Sequence, residues 1–95
     1  MIVRIVKLTF KQEDIPEFLE IFEKQKKFIA DFDGCSHLSL LRNKKQANIF
    51  FTYSHWQNEE ALERYRESDF FRDIWSNVKQ LFEDKPLAWS LEKHG

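Results

Sequence analysis

The chain opens with alternation. Over Ile2–Phe10, the residues Ile2, Arg4, Val6, Leu8 and Phe10 share one face of a strand rich in Val and Ile. The period then lengthens. Apolar residues recur at Ile15, Phe18, Leu19, Phe22 and Ile29, widened by Ile21, Phe28 and Phe32, as in an amphipathic helix of about five turns. Asp14 and Glu17 form a capping pair, Pro16 is tolerated in the first turn, and Gly34 suits the stop. Ser36–Arg42 and Ala47–Trp56 read as two strands joined by the polar turn Asn43-Lys44-Lys45-Gln46. Asn58 can cap a short helix with Ala61, Leu62 and Tyr65. Ser68 can cap another with Phe70, Phe71, Ile74, Trp75, Val78, Leu81 and Phe82 at helical spacing. Pro86 precedes a last strand, Leu87–Lys93. The order β-α-β-β-α-β is the ferredoxin-like, split βαβ arrangement of the α+β class: a four-stranded antiparallel sheet with helices on one face, its second helix broken near Ser68.

A sheet covered on one side should carry polar residues on the other. Here Val3 and Ile5 oppose Val6 and Leu8, while Ile49, Phe51 and Tyr53 oppose Phe50 and Trp56. Helices cover one face only. The bare face would expose several hundred Å² of apolar surface, since a buried aromatic alone contributes about 150–250 Å². A second copy packed sheet against sheet is the simplest cover, so a homodimer through the open face is expected, with Val3, Ile5, Phe51 and Tyr53 near its interface.

Composition narrows the functional classes. Ninety-five residues make one domain, 1–95. Fifteen Lys+Arg against sixteen Asp+Glu give a net charge of −1, which argues against nucleic-acid and membrane-surface binding. Ten Phe, three Trp and two Tyr argue against disorder. The single Cys35 follows a Gly at a strand start, reads as a small packed residue, and suits a reducing compartment. No apolar stretch has the ~20 residues of a membrane span, and Arg4 and Lys7 interrupt any leader-like start. The expected location is cytoplasmic.

Several motifs then become informative: Gly34-Cys35 opening the second strand, Phe51-Thr52-Tyr53-Ser54-His55-Trp56, Glu60-Ala61-Leu62, and Ser68-Asp69-Phe70-Phe71. In this order and spacing the chain resembles the antibiotic biosynthesis monooxygenase (ABM-like) family, a dimeric α+β barrel, over nearly its whole length. The resemblance implies a small homodimer with a pocket between each sheet and its own helices. Some members oxidise quinols, anthrones or related polyphenols with O₂ and no cofactor, some cleave haem, and others have no demonstrated activity. The haem-degrading pattern of Asn, Trp and His falls here on Val6, Tyr65 and Trp75, so none of the three types is kept. The acid–base positions of quinol-oxidising relatives fall on Ser54, Tyr65 and Phe70.

Cofactor-free oxygenation needs an ionised phenol or enol, a hydrogen-bond donor or base, an aromatic wall and exclusion of water. The resemblance places Val6, Thr52, Ser54, Trp56 and Phe70 against a small aromatic substrate, with Tyr65 and Trp75 as hydrogen-bonding, catalytic side chains. The plainer reading makes Trp56 and Trp75 core residues and Tyr65 a half-buried amphipathic one. The leading expectation is a monooxygenase acting on a quinol or polyphenol with O₂ and no cofactor. The alternative is a non-catalytic small-molecule-binding dimer. His37, His55 and His94 have no metal-site spacing, so no metal is expected; His37 could serve as a pocket base or lie at an interface. Arg4 is unusual in an apolar strand. It can pair with a carboxylate at the sheet edge or meet an anionic substrate group. RNA binding would need a basic aromatic strand with Gly, and phosphate chemistry a Gly-rich cradle; neither is present.

Overall fold

The computed structural model describes the whole chain, Met1–Gly95. Its elements are β1 (Ile2–Thr9), α1 (Ile15–Ala30), β2 (Cys35–Arg42), β3 (Ile49–Trp56), α2 (Glu59–Glu67), α3 (Asp69–Val78) and β4 (Leu87–Leu91), with short 3₁₀ turns at Gln12–Asp14 and Lys79–Leu81. The strands form one four-stranded antiparallel sheet in the order β2-β3-β1-β4. This is the expected ferredoxin-like α+β fold.

Register decides which side chains meet the helices. Ile2, Arg4, Val6 and Leu8 pair with Trp56, Ser54, Thr52 and Phe50, and Val6 and Arg4 pair on the other side with Ala88 and Ser90. Because side chains alternate, these share the helix-facing side. Val3, Ile5, Phe51 and Tyr53 lie on the opposite, open side. Two separate buried clusters hold the layers together. Leu8, Phe10, Ile15, Phe18, Phe50, Val78 and Leu81 form one; Trp56, Ala61 and Leu62 form the other. Phe10 is fully buried, stacked on Phe18 at 4.1 Å and on Phe82 at 5.2 Å.

Local chemistry explains the joints. Asn58 Oδ1 accepts from the Ala61 N–H at 2.8 Å and caps α2 as expected. Ser68 ends α2 and begins α3: its hydroxyl donates to the Tyr65 carbonyl at 2.6 Å, and Oγ accepts from the Phe71 N–H at 3.1 Å. The Asn43 side chain accepts from the N–H groups of Lys45 and Gln46, closing the β2–β3 turn. Ala47 belongs to that turn, so β3 starts only at Ile49. Asp14 makes no side-chain cap, because it is held in the preceding 3₁₀ turn with φ −99° and ψ 0° rather than in the extended conformation a capping carboxylate needs. Gly34 lies beyond the end of α1. Its φ of +92° disfavours side chains, and an added Cβ there would collide with the Cβ of Ala61. That absence lets α2 lie against the start of β2. β4 stops at Leu91, two residues short of the expected Lys93.

Candidate functional site: an aromatic cavity under the broken helix

A cavity of about 450 Å³ lies between the sheet and the helices and draws its lining from both buried clusters. The sheet contributes Arg4, Val6, Leu8, Leu38, Thr52, Ser54, Trp56 and Ala88. From α3 come Phe71, Ile74, Trp75 and Val78, an i, i+3, i+4, i+7 stripe, and from α2 come Leu62, Glu63, Tyr65 and Arg66. One wall is a continuous run of rings. Trp56 stacks on Tyr65 at 4.8 Å, Tyr65 meets Phe71 edge-on at 5.0 Å, and Phe71 stacks on Trp75 at 5.8 Å.

Six of the seven residues singled out by sequence thus come together around this space: Val6, Thr52, Ser54, Trp56, Tyr65 and Trp75. Phe70 does not. Successive helical residues are rotated by about 100°, so the turn that aims Phe71 inward carries Phe70 sideways. Its ring stacks on Phe32 at 6.3 Å and meets Phe28 at 6.4 Å. Phe71 takes the place given to Phe70. Glu63 and Arg66 also line the cavity, and the helical spacing of Leu62, Tyr65 and Arg66 along one face is the sequence signal that points to Arg66. His37 is no pocket base: with Tyr53 and His55 it occupies the open side of the sheet, its ring 5.1 Å from His55.

The polar groups of the cavity divide into used and free. The buried Trp56 indole N–H donates to Ser54 Oγ at 3.0 Å, so these two satisfy one another. The Tyr65 hydroxyl, the Trp75 indole N–H and the Thr52 hydroxyl make no hydrogen bond within the protein, and none is sealed from solvent. They are the groups a ligand can engage. Burial pushes the Tyr65 phenol well above its ordinary value, with a further push from the neighbouring Cys35. Tyr65 is therefore a proton donor at neutral pH and not a base. Cys35 is also pushed up by burial, partly offset by a hydrogen bond from the His37 backbone. It lies outside the cavity lining.

Arg4 has no carboxylate partner. None of the ion pairs in the fold involves it, which rules out the sheet-edge pairing considered from sequence. Its Nη1 donates to Ser90 Oγ at 2.9 Å.

The antibiotic biosynthesis monooxygenase family model matches residues 1–75. The chain belongs to this family. Solved structures agree on the fold. An antibiotic biosynthesis monooxygenase superposes with a TM-score of 0.93 at 15% identity, covering 100% of both chains. A conserved protein from Methanosarcina mazei Go1 superposes with a TM-score of 0.91 at 19% identity, covering 99% of this chain and 94% of that one. A Natronomonas pharaonis protein named for heme binding is 30% identical over 78 residues, which make up 82% of this chain and 13% of that protein. The chain therefore spans about an eighth of that relative's length. The family supports a monooxygenase or small-molecule-binding role. No helix is long and apolar enough to cross a membrane.

Proposed function

We propose that this family member is a homodimeric monooxygenase that oxidises a small phenolic or quinol-like aromatic with O₂, the substrate itself supplying the electrons. The observation that carries this reading is the cavity: flat aromatic walls with the Tyr65 hydroxyl and Trp75 indole N–H as free donors. A phenol stacked against Trp75 and Phe71 would place its oxygen within reach of such a donor. Once ionised, it passes an electron to O₂ more readily than the neutral phenol. One oxygen atom becomes a ring carbonyl; the other leaves as water with the phenolic hydrogen and one ring hydrogen. Tyr65 contributes by donating a hydrogen bond to the developing phenolate. Val6, Thr52, Ser54 and Trp56 shape the floor against which the ring lies.

The heme-binding name of the Natronomonas relative raises haem as a ligand. The cavity contains no His, Cys or Met, and its one tyrosine is held protonated by burial. These residues do not supply an axial ligand, and no step through haem is drawn.

Assembly follows from the open face. Leu41, Leu87, Trp89 and Leu91 are 44–51% exposed on the side that also carries Val3, Ile5, Phe51 and Tyr53. A patch of this kind supports a two-fold dimer, sheet against sheet.

The test is oxygen uptake with a panel of hydroquinones and naphthols in chelator-treated buffer. Uptake above the buffer rate that falls roughly 10²-fold in Tyr65→Phe supports the reading. Binding of panel members without uptake would instead establish a non-catalytic binding dimer. That second reading is favoured by one observation: the only carboxylate of the cavity, Glu63, is bonded to Arg66 at 3.3 Å.

A further inference from the structure

Arg4 is the one charged side chain that the sheet presents to the cavity. Its cross-strand neighbours are both serines, Ser54 on β3 and Ser90 on β4, so small side chains leave space on either side of it. A guanidinium has five N–H donors, and in this fold a single bond, to Ser90 Oγ, is made. No Asp or Glu oxygen comes within 4.0 Å. The other charges lining the cavity are Arg66 and Glu63, which engage each other, so the lining carries two arginines against one glutamate. Desolvation and the nearby Arg66 disfavour the Arg4 charge, and Glu63 only partly offsets them. A half-buried cation without its own anion favours a ligand that brings one.

We propose that Arg4 forms an anion subsite of the cavity and that the ligand is an aromatic bearing an anionic oxygen, a carboxylate or an ionised phenol, which the guanidinium takes at the sheet while the rings of Trp75, Phe71 and Tyr65 hold the aromatic plane. The inference rests on the aromatic-ligand reading above and adds the charge of the ligand to it. It also assigns the source of ionisation. With Tyr65 held protonated, the cationic neighbourhood of Arg4 stabilises the phenolate, and the proton goes to solvent.

The probes are 2-naphthoate and its neutral counterpart 2-naphthalenemethanol, titrated calorimetrically at neutral pH and low salt. A third probe, 4-nitrophenol, is held below its own pKa, where growth of the phenolate absorbance band on binding reports ionisation. The wild-type protein should bind the acid at least about tenfold more tightly than the alcohol, and ~0.5 M NaCl should compress that ratio. Arg4→Gln should bring the ratio to about one while the alcohol's affinity stays within about twofold. Arg66→Gln should keep most of the ratio. Acid preference without phenolate growth identifies a carboxylate as the anion; phenolate growth without acid preference identifies an ionised phenol. Either signal must vanish in Arg4→Gln. Should Arg4→Gln fail to fold, the wild-type ratio, its compression by salt and its survival in Arg66→Gln decide the matter. Equal binding of acid and alcohol with no phenolate growth would overturn the subsite and leave the aromatic cavity standing. Binding of none of the three would instead overturn the aromatic-ligand reading itself.

Discussion

Replacing Trp56 by Phe examines whether the cavity wall is held by its own hydrogen bond. Trp56 is 1% exposed and its indole N–H donates to Ser54, itself 6% exposed. Trp56→Phe keeps an aromatic ring against Tyr65 but leaves the Ser54 hydroxyl without that donor, which costs about 1–3 kcal/mol for a buried polar group. The smaller ring adds a packing loss of about 1 kcal/mol. The single variant should therefore lose about 2–4 kcal/mol. Ser54→Ala should lose about 1–3 kcal/mol, because it leaves the indole N–H unpaired. The double variant has neither orphan, so its loss should fall short of the sum by about 1–2 kcal/mol. Urea unfolding followed by circular dichroism at one fixed protein concentration measures all four corners of the cycle; fixing the concentration matters because dimerisation would couple stability to it. Losses that add to within about 0.3 kcal/mol would show that the bond does not hold the wall and that the reasoning from burial is wrong.

Other outcomes follow from the same geometry. Tyr65→Phe should leave stability nearly unchanged, since the hydroxyl has no partner in the fold, and should weaken binding of a phenolic ligand by about 0.5–1.5 kcal/mol, read by calorimetry. Because burial raises its folded pKa above the ordinary value near 10, the stability contributed by the protonated Tyr65 phenol is complete below about pH 10 and is lost as pH rises through the folded value. Tyrosinate absorbance should accordingly show a late component that Tyr65→Phe removes. Gly34→Ala should destabilise by roughly 1–3 kcal/mol or more through its φ of +92° and its collision with Ala61. Thermal melts should show only partial rescue when Ala61→Gly is added, because that change relieves the collision and not the torsion. Phe51→Glu should dissociate the dimer at micromolar concentration or unfold the chain, since burying an unpaired charge costs several kcal/mol. A folded wild-type monomer in sedimentation velocity would refute the dimer itself.

The sheet and helices were legible because their signals are periodic. Alternation put Arg4, Val6 and Leu8 on one face, and side-chain caps at Asn58 and Ser68 marked both short helices. What escaped depends on partners remote in sequence. Asp14 looked like a cap, but the 3₁₀ turn before it set its backbone. Phe70 and Phe71 are adjacent aromatics, and only the helix phase, fixed by packing against the sheet, tells which one faces inward. Nor could the sequence reveal that Trp56 and Ser54 satisfy each other while Tyr65 is left free. That distinction needs the distances between side chains. The solitude of Arg4 was invisible for the same reason, since sixteen acidic residues were available to meet it.

Ser68 pins the roof of the cavity. One hydroxyl ties the carbonyl of Tyr65 to the amide of Phe71, and each of these residues contributes a ring to the lining. The two roof panels, α2 and α3, therefore share a single hinge pin whose extended backbone, φ −72° and ψ 151°, is the only non-helical link between them. A change of a few degrees at this pin would shift α2 against α3, and with them Ala61 and Leu62 in one buried cluster and Val78 in the other. The size of molecule admitted is thus coupled to the stability of the fold through one serine.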